Sequence, residues 1–239
     1  MSGLTTRVGS ATDIGRLRTE NQDCAYTGAS LWLVADGMGG QPAGALASRL
    51  AVMEFEASDR PEPVTAAEIE RAIGRANERL LAEGRRHPER AGLGTTAAGL
   101  ARVGADRWAV FNVGDSRVYR WAGNRLEQLS VDHSAVQELV DAGLLDPVAA
   151  RSHPRRNIVT RSLGTDPAPR PDVWQRAAVA GETFLICSDG LTNELTDAQL
   201  ARVLQAQPQP QEAADALVGQ ALAAGGHDNV TVIVLAVEG

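Results

Sequence analysis

The chain has 239 residues, 44% of them hydrophobic and 22% charged, with a net charge of −7. That length supports one large domain with a sizeable core, the composition excludes a disordered chain, and the acidic balance excludes a general nucleic-acid binder, which needs a basic footprint. No apolar run approaches the roughly 18 residues of a membrane span, and the amino-terminal MSGLTTRVGS has neither the basic start nor the apolar centre of a secretory signal. A single-domain, monomeric, cytoplasmic protein spanning residues 1–239, without membrane insertion, is the expectation.

In chain order, the first clear strand is Leu31–Ala35, five apolar residues that run straight into Asp36-Gly37. Helices follow at Ala43–Ala57 and Ala66–Glu83, rich in alanine and leucine with charges on the alternate face. PEPVT breaks the chain between them, and Thr65 with Glu68 three residues on has the spacing of a capping box. Valine, tryptophan and threonine enrichment predicts strands at Thr95–Val103, Trp108–Val113 and Arg117–Trp121, with Gly123-Asn124 as a turn. A helix over Ser134–Ala142, N-capped by Ser134, leads into Asp141–Pro171, which is rich in proline and arginine and has little periodicity. Such a stretch inside a compact domain is usually functional or mobile, so residues 134–171 are read as a surface flap. A strand at Thr183–Cys187, helices at Asp197–Gln205 and Gln211–Ala224 separated by QPQPQ, and a strand at Val230–Val237 complete the chain. Strands grouped in the middle, with helices in pairs around them, favour a layered α+β domain over a doubly wound sheet.

Carboxylates recur where these strands end. Asp36-Gly37 and Asp189-Gly190 each terminate an apolar run, Asp228 immediately precedes one, Asp115 lies in a turn between two strands, and Asp23 ends RTENQD. Any one Asp-Gly is ordinary turn chemistry. Several together, beside glycines that let the backbone approach closely, suit a hard cation with oxygen ligands, because clustered carboxylates otherwise repel and resist desolvation. No GxGxxG, P-loop, HExxH or GxSxG pattern is present. Cys24 and Cys187 are too few for a disulfide framework or a four-thiolate zinc site; Cys187 reads as a buried apolar residue, and Cys24 lacks the basic sequence neighbours of a nucleophile. His133 reads as structural, His227 as orienting or superficial, and His87 and His153 as loop residues. Arg155 and Arg156 are equally compatible with a solvated loop and with contact to an acidic or phosphorylated peptide. Met53, Trp32 and Trp108 are expected in the core.

Taken in order, RTENQD, ADGMGG, GTTA, GDSR, DHS, SDGL and GHDNVT resemble the type 2C, metal-dependent serine/threonine protein phosphatases, in their bacterial stand-alone form. The resemblance runs from about Val8 to Val237. It implies a central antiparallel β-sandwich flanked on both sides by pairs of antiparallel helices, with a two-metal site at one end and the flap near it. It also implies that Asp36 bridges two manganese or magnesium ions, that the Gly37 carbonyl completes one shell, and that Asp189 and Asp228 hold the other ion. Asp23 would orient water, Asp115 would join Asp189 at a third, weaker metal, and Arg18 would grip the substrate phosphate. The implied reaction is hydrolysis of phosphoserine and phosphothreonine by a metal-bridging hydroxide. Two divalent ions would set four positive charges against the three carboxylates of Asp36, Asp189 and Asp228, making the site locally cationic. Two positions depart from other members: Gln22 stands where many carry glutamate, and Met38 where animal members carry a proton-donating histidine, so a metal-bound water becomes the implied acid. The implied partners are phosphorylated proteins and a cognate serine/threonine kinase. Three alternatives stand beside this one: a regulatory phosphatase acting on anti-sigma-factor antagonists, a non-catalytic phosphoprotein-binding module, and a hydrolase of another phosphate ester.

Overall fold

The computed structural model describes residues 4–40 and 42–239. Residues 1–3, which belong to the stretch read for a signal and to the single-domain expectation, lie outside them, as does Gln41. Two antiparallel sheets form the centre. One runs in the order β1 (Thr5–Asp13), β11 (Val230–Glu238), β10 (Thr183–Cys187), β7 (Arg117–Ala122), β8 (Arg125–Gln128). The other runs β2 (Asp23–Thr27), β3 (Leu31–Met38), β5 (Ala97–Val103), β6 (Arg107–Val113), β9 (Asp172–Ala177), with the two-residue β4 (Gly94–Thr95) paired to β3.

Alternation along each strand sorts the core into three layers. In β3, Leu31, Leu33 and Ala35 pack with the helices α1 (Ala43–Glu56) and α2 (Ala66–Arg86). The intervening Trp32 and Val34 pack with Trp108, Phe184, Ile186 and Ile233 in the layer between the sheets. On the far side, Leu185, Cys187, Val232 and Val234 pack under α6 (Asp197–Ala206) and α7 (Pro210–Ala224). The arrangement is the expected sandwich between helix pairs. Among the described residues, no helix is long and apolar enough to cross a membrane.

Each helix and strand read from the sequence is present, and Thr65–Glu68 forms the capping box. Ser134 caps α3 (Ala135–Asp141) by accepting from the Gln137 N–H. Three findings differ. The strand expected at Thr95–Val103 divides at Thr96 into β4 and β5. The flap contains a second short helix, α4 (Pro147–Ala150), N-capped by Asp146. Met53, expected in the core, is 48% exposed: α1 buries Ala47, Ala51 and Phe55 on its inner face, which turns Met53 outward toward Arg79. Four strands escape the sequence pattern, β1, β2, β8 and β9, and these are the outer strands of the two sheets.

Candidate active site

The alternation that fills the middle layer also delivers the acids. Asp36 continues the inward set Trp32, Val34 to the end of β3, and Asp23 stands directly opposite it on β2. Ser188 and Thr231 continue the inward sets of β10 and β11, and Thr96 and Ser116 those of β5 and β7. One end of the layer is therefore polar. Asp189 opens the short helix α5 (Asp189–Glu194) just past β10, Asp228 stands just before β11, and Asp115 lies in the β6–β7 turn. Arg18, Asp36, Gly37, Asp115, Asp189 and Asp228 thus line one cavity of about 390 Å³, with Gln22 and Met38 in its wall. Asp23 does not reach that wall and lies beneath it.

Backbone contacts fix the floor. The Asp36 N–H donates to Thr96 Oγ1 at 2.9 Å, and the Asp36 carbonyl accepts from Thr95 Oγ1 and the Thr96 N–H at 2.9 Å each. The Gly37 N–H donates to the Gln22 carbonyl at 3.1 Å. A side chain at Gly37 is impossible, since a Cβ there would lie 2.0 Å from the Gly44 carbonyl oxygen at the start of α1. Asp23 Oδ2 accepts from Ser188 Oγ at 2.7 Å, while its Oδ1 is buried without a partner. Arg18 Nη2 donates to Asp228 Oδ2 at 2.7 Å, and Asn193 Nδ2 to Asp189 Oδ2 at 2.9 Å.

Asp23, Asp36, Asp115 and Asp189 are displaced from their ordinary state. Burial, then the charges of Asp23 and Asp189, pushes the Asp36 carboxyl well above the usual range. Asp115 is driven well above it by burial and by Asp189, and Asp189 is raised by burial and by Asp228. Asp23 is pushed up to about 7, chiefly by burial. Arg18 alone, among the described residues, brings a positive charge to the cavity wall. Among the described residues no three such side chains draw together into a ready-made cage for a single ion, although Asp36 and Asp189 come within hydrogen-bonding reach of one another. The donors are all oxygens, a buried Asp23 oxygen lacks a partner, and each charge disfavours the next. That set fits hard divalent cations that take a few carboxylates each and complete their shells with water.

Sequence reasoning did not single out the groups that hold these acids in place. Asn229 accepts from the Gln22 N–H at 2.8 Å and donates to the carbonyls of Ile14 at 2.8 Å and Glu20 at 3.0 Å, so it ties the segment bearing Arg18 to the start of β11. Gly15 permits this close passage: its φ is +79°, and a Cβ would lie 2.2 Å from the Asp228 carbonyl oxygen. Thr96 Oγ1 and Ser116 Oγ, 2.7 Å apart, join the two sheets beneath Asp36 and Asp115. The signal lay within GTTA, GDSR and GHDNVT, in the residues beside the acids. His227 is exposed and pairs with Glu194 at 2.6 Å. A second cavity of about 280 Å³ shares Asp115 and Asp189 with the first and lies between α5 and the flap helices α3 and α4, with Arg151 and Arg156 in its wall. Arg151 Nη2 donates to the carbonyls of Thr192 at 3.0 Å and Leu195 at 3.1 Å, fastening the flap to the end of α5.

Known proteins share this fold. The serine/threonine protein phosphatase PstP of Mycobacterium tuberculosis is 37% identical over 233 residues, 97% of this chain but 45% of that protein, so the chain spans about half its length. The serine/threonine phosphatase stp of Listeria welshimeri is 34% identical over 235 residues, covering 94% of this chain and 93% of the relative. The crystal structure of the catalytic domain of PstP, in complex with two manganese ions, superimposes with a TM-score of 0.91 at 35% identity, covering 99% of this chain and 100% of that one. The model of the family Protein phosphatase 2C matches residues 18–224, which hold every strand except β1 and β11, and on that match the chain belongs to the protein phosphatase 2C family.

Proposed function

We propose that the protein hydrolyses phosphoserine and phosphothreonine in other proteins, using manganese or magnesium. The observation that supports this reading is a single cavity walled by Asp36, Gly37, Asp189 and Asp228, with Arg18 at its edge. Asp36 with the Gly37 carbonyl, and Asp189 with Asp228, would hold two divalent cations, and Asp115 with Asp189 a third. When bound, such ions supply Lewis-acid charge and lower the pKa of water. The chain's own groups do the rest. Arg18 is half exposed and free to turn its fork from Asp228 toward phosphate oxygens, which it can bind bidentately. Asp23 Oδ1, buried and unpartnered, offers an acceptor for a proton of the attacking water from below the floor. Met38 lies in the wall and has no proton to give the leaving alkoxide. A non-catalytic binding module would need a damaged acid set, and Asp36, Asp189 and Asp228 all stand in the wall.

The single domain acts as a monomer in the cytoplasm, with the segment 134–171 as a flap over substrate access, opposing a serine/threonine kinase whose products it resets. Protein dialysed free of metal should be inactive on a phosphothreonine peptide and recover on addition of manganese. Hydrolysis that persists in excess chelator would overturn the reading.

A further inference from the structure

His133 is 4% exposed and makes contacts that no N-cap or core role requires. Its Nδ1 accepts from the Gly114 N–H at 3.1 Å, and its backbone N–H donates to the Gly114 carbonyl at 2.9 Å. Its Nε2 lies 3.1 Å from Asp172 Oδ2 at the start of β9 and 3.2 Å from Arg161 Nη1. Its carbonyl accepts from the Thr160 N–H at 2.8 Å. One residue therefore touches the turn that carries Asp115, on one side, and the base of the flap, on the other. Because the Gly114 N–H points into Nδ1, that nitrogen must keep its lone pair, and the ring proton sits on Nε2 and donates to Asp172; Arg161, which can only donate, is then held beside the ring by Asp172, 3.5 Å from its Nη1, and makes no hydrogen bond to Nε2. Burial, which holds the ring's pKa below the ordinary histidine value, favours the same neutral form.

The turn needs such a clamp. Gly114 has a φ of +113°, and its carbonyl also accepts from Asn112 Nδ2 at 3.0 Å. From these contacts we propose that His133 is a positioning residue for Asp115: its imidazole locks the Gly114–Asp115 turn to the base of the flap, so that Asp115 keeps its place between the two cavities. The link to turnover rests on the phosphatase reading; the geometric claim does not.

Asparagine and glutamine separate the two sides of the ring, because an asparagine amide falls near Nδ1 and a glutamine amide reaches Nε2. His133→Asn should keep an acceptor for the Gly114 N–H, whereas His133→Gln should keep the Asp172 contact and lose the turn. With magnesium present, the Gly114 amide of His133→Gln should exchange on the order of tenfold faster than in the unsubstituted protein, and kcat should fall by a similar factor with KM changed less than about twofold. His133→Asn should retain both within about threefold. Equal losses in the two variants, or a Gly114 amide unmoved by glutamine, would overturn the proposal. Nitrogen-15 spectra of the unsubstituted protein give a check independent of folding in the variants: a neutral ring protonated on Nε2 is expected, and protonation on Nδ1 rules the clamp out. If the unsubstituted protein hydrolyses no phosphopeptide with metal, the phosphatase reading fails while the exchange and ring measurements still decide the clamp.

Discussion

The two ends of the inter-sheet layer are both polar, and they are built on opposite principles. Strand β10 shows both: Glu182 precedes it and Asp189 follows it. At the Glu182 end, a carboxylate only 1% exposed meets Arg120 of β7, whose Nε lies 2.5 Å from Oε1, and Arg176 of β9, at 3.2 Å. Arg120 and Arg176 come from different sheets, so the triad fastens the sandwich, and two cations serve one acid. At the Asp189 end, Arg18 is the one arginine among the described residues of a wall that carries five acids, Glu20, Asp36, Asp115, Asp189 and Asp228, and the nearby Arg117 is already paired with Asp132. A protein able to neutralise a buried carboxylate from its own side chains does so at one end and leaves the other deficient in positive charge. On the proposed function that deficiency is what the site requires, since a dianionic substrate needs cations that are not already consumed by tight partners.

The largest expected effect tests the deficient end. Asp36→Asn should lower kcat/KM on a phosphothreonine peptide by at least about 10³, the scale of losing a principal electrostatic group at a reacting centre. Its stability should move the other way in the absence of metal. The Asp36 carboxyl is raised by burial and by its acidic neighbours, so above its unfolded value its ionisation opposes folding. Removing that charge should raise the melting temperature at neutral pH, and the gain should vanish in acid, where the carboxyl is neutral in both states. A variant that loses activity and melts lower, even without metal, would show that Asp36 is a structural group.

At the neutralised end the signs should reverse. Glu182→Gln leaves two guanidiniums around a buried amide and should cost about 3 kcal/mol, the lower part of the range for breaking a buried pair, since Arg120 keeps Glu127 at 3.6 Å. For a chain of this length that is a melting temperature roughly 6–12 °C lower. At a temperature where the variant is folded, kcat/KM should stay within about twofold of the unsubstituted protein, because the pair is remote from the cavity. A fall in kcat/KM alongside an unchanged melting temperature would erase the distinction between the ends.

Sequence patterns captured the interior of this molecule better than its margins, for a physical reason. Strands β3, β10 and β11 are buried on both faces, so LWLVA, TFLIC and VTVIVLAV read as near-continuous apolar runs. The outer strands β1, β2, β8 and β9 are partly solvated, and TTRVGSATD or RLEQ carries too few apolar residues to stand out. The acids were legible because they sit where those apolar runs stop. Their supports were not: Asn229 and the pair Thr96–Ser116 act across 207 and 20 residues of sequence, and no local pattern encodes a partner so distant. Glu182 illustrates the same limit, being one charged residue before a strand until Arg120 and Arg176 are seen beside it.

The smallest effect concerns Asp59, which lies at the same end as Glu182, beside the start of β3. Its carboxylate accepts from the Ala29 N–H at 2.7 Å, the Ser30 N–H at 2.9 Å, Ser30 Oγ at 2.8 Å and the Tyr26 hydroxyl at 3.1 Å. Burial by itself would raise its pKa, but the hydrogen bonds from Ala29, Ser30 and Tyr26 outweigh burial and hold it below the ordinary value. The sign is thus opposite to that of Asp36: an acid depressed in the folded state stabilises the fold above its unfolded value, and the contribution is lost as pH falls through the folded one. Asp59→Asn should cost about 1 kcal/mol at pH 7, at the modest end of the hydrogen-bond range because the group keeps contact with solvent. The difference between the two proteins in urea should shrink as pH drops below about 4, the unfolded aspartate value, while the Asp36→Asn difference fades over higher pH. Parallel pH dependences for the two variants would mean that neutralisation by donors at one end and repulsion between acids at the other are not what separates them.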